Sequence, residues 1–204
     1  MLKYLFEHLA VDYSVFNVFR YLTFRAICGV LTALVVSFVA GPAMIRRLGR
    51  LQVSQPIRAD GPPTHFEKVG TPTMGGALIL VAIVLSTLLW ADLSNRFVWI
   101  TLLTCTAFGT IGWFDDYEKL AHRNPRGIGA RSKFLWQTLA GLSAALALYL
   151  TAQSPAETQL IVPLFKEVAL ELGFGFVLLT WFVITGSSNA VNLTDGLDGL
   201  AILP

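Results

Sequence analysis

Charged side chains are scarce in this chain, and their scarcity argues against an ordinary soluble domain. Asp, Glu, Lys and Arg make up 14% of the 204 residues, whereas 54% are hydrophobic and the mean hydropathy is +0.63. Soluble domains carry about 25% charged residues. The composition therefore predicts an integral membrane protein.

Cysteine, histidine and phosphate-loop patterns are also lacking. Cys28 and Cys105 both lie inside apolar runs, so we interpret them as free thiols outside any disulfide framework. The histidines are far apart in the sequence and have no cysteine spacing around them, which argues against a zinc site. No Walker-type glycine–lysine loop is present, so an ATP-driven pump is not indicated, and we predict no nucleic-acid partner.

Five apolar runs are long enough to cross a bilayer, which takes about 20 residues each. The predicted transmembrane helices cover about residues 22–45, 73–91, 97–114, 134–152 and 174–191. Residues 1–21 mix apolar and charged side chains, and we interpret them as a candidate interfacial helix. The sequence thus predicts an all-α, polytopic protein in which residues 1–204 form a single membrane domain.

The basic residues alternate between the loops and predict an orientation. Five lie after the first run and five after the third, whereas the loops after the second and fourth runs carry one each. Because positive residues concentrate in cytoplasmic loops, we predict a periplasmic N-terminus. This orientation places the loop at 46–72, the acids at 115–116 and the segment 187–204 on the cytoplasmic side.

Two adjacent carboxylates, Asp115 and Asp116, stand at the end of the third run. Ionised groups at a membrane boundary are costly unless they are solvated or paired, and the C-terminal end of a helix dipole disfavours carboxylates further. They are either interfacial acids paired with Lys119, a helical neighbour of Asp115, or functional groups. As functional groups they are candidates for binding Mg²⁺ or for deprotonating an oxyacid nucleophile.

Two further polar stretches are predicted to lie on the same side of the membrane. KVGTPTMGG at 68–76 places the start of a helix near Lys68, which suits an anion such as phosphate or is simply a capped helix. In NAVNLTDGLDGLA at 189–201, Asn192, Asp195 and Asp198 recur every three residues and share one side of a helix. The plain alternative is a polar turn that ends the last helix.

These stretches resemble motifs of the phospho-N-acetylmuramoyl-pentapeptide transferase family. KVGTPTMGG, FDDYEK at 114–119 and NAVNLTDGLDGLA occur in the family's order, and the resemblance covers the whole chain. The wider superfamily of polyprenyl-phosphate N-acetylhexosamine-1-phosphate transferases shares the paired aspartates and a looser form of the last motif. The resemblance implies an enzyme of about ten membrane-spanning helices in the bacterial inner (cytoplasmic) membrane, with its active site facing the cytoplasm.

The resemblance also implies a reaction. Such an enzyme transfers phospho-N-acetylmuramoyl-pentapeptide from UDP-MurNAc-pentapeptide to undecaprenyl phosphate, giving lipid I and UMP, and requires Mg²⁺. This step belongs to peptidoglycan synthesis, and thus to cell wall biogenesis, cell shape and cell division. The implied partners are the two substrates, membrane lipid and, as a candidate, a second copy of the chain.

The site residues follow by carry-over from the motifs. Asp115 and Asp116 form the catalytic pair and are candidate metal ligands, with deprotonation of the lipid phosphate as the leading role for Asp115. The substrate-binding candidates are Lys68, Thr73, Lys119, Lys133, Asn192, Asp195 and Asp198.

The chain departs from the family at its end. The family continues for several helices past the position of Pro204, with a further magnesium-associated aspartate and a histidine-rich loop, so we expect an N-terminal fragment that is inactive alone. Three alternatives are open: a superfamily transferase that uses UDP-N-acetylglucosamine, a cation-coupled transporter, or a non-catalytic scaffold. Transport sites tend to lie near the membrane midplane, whereas the acids here fall at helix ends.

Overall fold

Helices account for nearly all of the regular structure, which confirms the predicted all-α membrane class. The computed structural model describes residues 1–50, 75–121, 127–162 and 169–194. The chain divides into two units, residues 1–133 and 134–204, which we describe separately. The single membrane domain stays a prediction.

The described part of the first unit consists mainly of α-helices. Their bounds are α1 Leu2–Asp12, α2 Leu22–Arg50, α3 Gly76–Trp90 and α4 Arg96–Ala121, with a 3₁₀ helix at Ser14–Arg20 between α1 and α2. Two helices of this unit run past their predicted ends: α2 continues through Pro42 to Arg50, beyond residue 45, and α4 continues past the paired aspartates to Ala121, beyond residue 114. Apolar composition marks where a helix can enter lipid, whereas the helix itself ends where its backbone hydrogen bonds end.

Neighbouring helices of the first unit run antiparallel. A side chain at Gly41 of α2 would meet Leu78 of α3, and one at Gly109 of α4 would meet Leu80. The end of α2, the start of α3 and the end of α4 therefore share one end of the unit. The charge pattern likewise predicts that the two basic loops lie on one side of the membrane. That this side is the cytoplasmic one stays a prediction.

The second unit contains a helical hairpin. Helix α5, Ala130–Leu150, begins in the first unit and enters the second, and α6 covers Gly175–Thr194. Between them lie a 3₁₀ turn at Pro155–Glu157 and two antiparallel strands, β1 Gln159–Ile161 and β2 Ala169–Glu171. The sequence analysis did not predict these strands, because three residues are too few to show an alternating pattern.

All five predicted spans coincide with a helix, α2 to α6. Within the described ranges, three of them are long and apolar enough to cross a membrane by length and composition: Leu22–Gly49, Arg96–Lys119 and Gly175–Thr194. The described part of α3 is apolar but has only 15 residues, and α5 carries Arg131, Lys133 and Gln137 in its first half. Phe38 and Phe182 are 74% and 67% exposed, as expected for side chains that lipid covers.

The N-terminal segment is tied to the end of α3. Lys3 Nζ contacts the Asp92 carboxylate just after that helix, and the Tyr4 hydroxyl donates to Asp92 Oδ1 at 3.1 Å. The α-ammonium group of Met1 donates to the Leu88 carbonyl oxygen at 2.8 Å. Positive charge at the C-terminal end of a helix offsets the helix dipole, so these contacts stabilise the end of α3.

Aromatic rings reinforce the same junction. Phe6 of α1 stacks on Phe19 with ring centroids 3.9 Å apart, and Phe19 stacks on Trp90 at 6.0 Å. Trp90 also donates from Nε1 to the Thr32 hydroxyl at 2.8 Å. Residues 1–21 therefore pack against the rest of the unit through side chains typical of a membrane interface, and their contact with lipid stays a prediction.

We expect the N-terminal tie to depend on the charge of Asp92. Hydrogen bonds from Lys3 and then from Ser94 hold the pKa of Asp92 well below its ordinary value. Because the folded-state pKa is lowered, the stabilisation is present above about pH 4 and is lost as the pH falls from there through the lowered pKa. Asp92→Asn should lower the amide hydrogen-exchange protection factors of α1 at neutral pH and reduce the further loss of protection on acidification.

Asp12→Asn is the matched control, since it removes a carboxylate of α1 itself, and Asp12 makes no ion pair with the described residues. Equal exchange rates in α1 for Asp92→Asn and the wild type would contradict the tie.

Candidate active site

The Asp115 carboxylate is the centre of a charged cluster near the end of α4. Its Oδ2 lies 2.8 Å from Lys119 Nζ and 3.5 Å from Lys133 Nζ. Its Oδ1 accepts a hydrogen bond of 3.0 Å from the backbone N–H of Ile128. Both oxygens are thus engaged, which explains how an ionised group 8% exposed is tolerated on an apolar helix. We call Asp115, Asp116, Lys119 and Lys133 the Asp115 cluster.

Lys119 joins the two adjacent carboxylates. Because α4 continues past Asp116, Lys119 lies one turn further along the same face, as predicted. Its Nζ lies 3.3 Å from Asp116 Oδ1 as well as 2.8 Å from Asp115 Oδ2. Two negative and two positive side chains make the cluster neutral in sum, and pairing of this kind lowers the cost of placing ionised groups at a membrane boundary.

The loop before α5 fits the carboxylate because of Gly127. This residue has φ +59°, and an ideal Cβ on it would lie 2.5 Å from Asp115 Oδ1 and 2.8 Å from Lys119 Cε. Only glycine combines this backbone conformation with so close an approach. Gly127 was not among the predicted site residues, although the run Gly127-Ile128-Gly129 directly before α5 is a sequence signal of a tight backbone approach.

The structure brings together four of the predicted site residues, those of the Asp115 cluster. Asn192 lies in α6 of the second unit, where it is exposed. The remaining candidates fall outside the described residues; they are Lys68, Thr73, Asp195 and Asp198. Asn189, whose Nδ2 donates to Gln137 Oε1 at 3.0 Å, was not among the predicted site residues.

The cluster offers ligands of both signs. Mg²⁺ prefers carboxylate oxygen as a ligand, so Asp115 and Asp116 are ligands of the chemical type that suits this metal. Within the described ranges no third Asp, Glu, His or Cys joins them to form a metal-binding group. A cation at Asp115 would compete with two ammonium groups, and each displaced ammonium group would then suit a phosphate oxygen. The cluster therefore offers ligands of the kinds that suit a phosphate anion and a divalent cation, and the binding of either stays a prediction.

One comparison with known proteins bears on this arrangement. A family model described as glycosyl transferase family 4 matches residues 98–203, just over half of the chain. The matched region begins in α4 and contains the whole Asp115 cluster together with the motif at 189–201. The matched region thus covers all of the residues that the structure brings together around Asp115.

We expect Gly127→Ala to disrupt the cluster, because the added methyl group would collide with the Asp115 carboxylate in a left-handed backbone conformation. Such backbone strain costs about 1–3 kcal/mol, so thermal stability in detergent should fall. Gly129→Ala is the matched control, since a Cβ there meets nothing within 4 Å and its φ is ordinary. Equal melting temperatures for the two variants would show that the loop does not approach the carboxylate as described.

Proposed function

Since the chain belongs to glycosyl transferase family 4, we propose that it transfers phospho-N-acetylmuramoyl-pentapeptide from UDP-MurNAc-pentapeptide to undecaprenyl phosphate. The family indicates a membrane-embedded sugar-phosphate transferase. The proposal adds the substrates, the products lipid I and UMP, and a place in peptidoglycan synthesis. It also places the protein in the bacterial inner membrane with the site facing the cytoplasm. The choice of these substrates is supported by the three motifs at 68–76, 114–119 and 189–201.

The observation that carries the proposal is the Asp115 cluster. A lipid phosphate must approach a pyrophosphate, so negative groups meet negative groups, and catalysis depends on position and on cationic screening. Lys119 and Lys133 can supply that screening. Each pairs with a carboxylate through a long, flexible side chain, so its ammonium group can move to a phosphate. When a substrate phosphate arrives, these lysines can exchange the Asp115 oxygens for phosphate oxygens.

The same exchange gives Asp115 its chemical role. In the proposed reaction an oxygen of undecaprenyl phosphate attacks the phosphorus that carries the sugar. The bond from that phosphorus to the oxygen shared with UMP breaks, and UMP leaves with this oxygen. Asp115 can accept the proton of the lipid phosphate only through an oxygen that the lysines have left. The transfer of Lys119 and Lys133 to the phosphates would therefore prepare the base and bind the substrate together.

Magnesium is part of the proposal. Asp115 and Asp116 would hold Mg²⁺, which when bound supplies further neutralisation of phosphate charge. Asp195 and Asp198, in the motif at 189–201, are the other acids that we propose for the donor side of the site. We propose that Lys68 and Thr73, in the motif at 68–76, also bind substrate.

The donor preference tests the proposal. With the purified full-length protein, undecaprenyl phosphate and Mg²⁺, we expect labelled UDP-MurNAc-pentapeptide to give a labelled lipid product. Labelled UDP-N-acetylglucosamine, which serves the superfamily alternative, should give none and should not compete. The opposite preference would replace the proposed substrate with that alternative. A chelator should stop the reaction, and added Mg²⁺ should restore it.

We expect Asp115→Asn and Asp116→Asn each to reduce transfer at least about 100-fold, the scale of lost acid–base or electrostatic assistance. The rate of labelled lipid formation in the full-length protein measures this. Asp12→Asn, which removes a carboxylate from the N-terminal segment, should leave the rate unchanged. Near-normal transfer by either of the first two variants would remove that aspartate from the catalytic pair.

A further inference from the structure

Helices α5 and α6 pack antiparallel in the second unit, and they approach closely where α5 has Gly141. An ideal Cβ on Gly141 would lie 3.0 Å from Thr185 Oγ1 and 3.2 Å from Trp181 Cδ1. Tyr149, near the end of α5, meets Phe174 just before the start of α6, with ring centroids 6.3 Å apart. The start of α5 therefore faces the end of α6.

A buried amide lies in this seam one turn before Gly141. Gln137 is 4% exposed, and burying an amide in an apolar environment costs several kcal/mol unless it forms a hydrogen bond. Its Oε1 accepts from Asn189 Nδ2 at 3.0 Å, between residues 52 positions apart. If residue 137 only filled the space between the two helices, Leu or Met would do so without burying an amide. The amide therefore points to a role beyond packing.

The hydrogen bonds of Asn189 fix the orientation of its side chain. Its Nδ2 donates to Gln137 Oε1 and to the Thr185 carbonyl oxygen at 2.8 Å, so both of its N–H groups are used on acceptors. The reversed amide would turn an oxygen towards the Thr185 carbonyl oxygen, which excludes that orientation. Asn189 Oδ1 has no hydrogen-bond partner among the described residues and is left to accept one.

Asn189 also belongs to a polar stripe that leads out of the seam. Thr185, Asn189 and Asn192 follow one another at helical spacing and share one side of α6. Thr185 is 4% exposed and its Oγ1 has no partner in the described structure, whereas Asn192 is exposed. The stripe thus connects the buried seam with the end of α6 that carries the motif at 189–201.

We propose that Gln137 is a positioning residue for the donor substrate. By holding Nδ2 of Asn189, it turns Asn189 Oδ1 towards the polar side of α6, where this oxygen accepts a hydrogen bond from an N–H or O–H group of the nucleotide sugar. Gln137 itself does not touch the substrate. This inference rests on the proposed function and adds to it a residue of α5 outside the three motifs.

The test separates donor binding from lipid binding in the full-length protein. Gln137→Leu should raise the KM for UDP-MurNAc-pentapeptide about 3- to 10-fold, the scale of one hydrogen bond, with the KM for undecaprenyl phosphate unchanged. Gln137→Glu keeps an acceptor oxygen, so its KM for UDP-MurNAc-pentapeptide should lie close to the wild-type value. Thr138→Val is the matched control, because the buried Thr138 Oγ1 makes no hydrogen bond in the described structure, and its KM values should match the wild type.

An equal rise in both KM values, or no rescue by Gln137→Glu, would show that Gln137 only supports the helix pair and would overturn the proposal. If Gln137→Leu does not fold, Gln137→Met takes its place, since it keeps the side-chain length and removes the acceptor oxygen: a raised donor KM supports the proposal, and an unchanged one contradicts it. Absence of transfer by the wild type would contradict the proposed function itself, and this inference with it. A normal wild type with unaffected Gln137 variants would contradict the inference alone.

Discussion

The buried carboxylate of Asp115 depends on three N–H donors from three parts of the chain. Lys119 follows it on α4, Ile128 lies in the loop before α5, and Lys133 lies in the first turn of α5. Removing one partner of a buried charge pair costs about 3–5 kcal/mol, because the other charge is left uncompensated. The cluster therefore ties the last turns of α4 to Ile128 and to the first turn of α5. Gly127 is the backbone requirement of the same arrangement.

The interaction that stabilises this end of the unit also suits it to phosphate chemistry. Carboxylate and ammonium groups that neutralise one another at rest can separate when a phosphate and a divalent cation arrive, so the site needs no unpaired buried charge in either state. A site built only from lysines would repel itself before substrate binds, and one built only from aspartates would repel the phosphates. The neutral cluster is therefore well matched to a family that transfers sugar phosphates.

The helices and the local pairing on α4 could be predicted from the sequence, because apolar run length and helical spacing are local properties. Each predicted span coincides with a helix, and Lys119 pairs with Asp115 as its position indicates. Contacts between distant residues could not be predicted in this way. Lys133 was proposed only from the family resemblance, while Gly127 and the pair Gln137–Asn189 depend on how helices meet. The contact between Lys3 and Asp92 likewise joins residues that are distant in the sequence.

The central claim is that this site transfers a sugar together with its phosphate. The most direct measurement uses UDP-MurNAc-pentapeptide carrying ³²P in the phosphate attached to the sugar, incubated with the purified full-length protein, undecaprenyl phosphate and Mg²⁺. The account predicts that the label enters the lipid product while unlabelled UMP is released in equal amount. Release of labelled UDP with an unlabelled lipid product would show transfer of the sugar alone and would contradict the account.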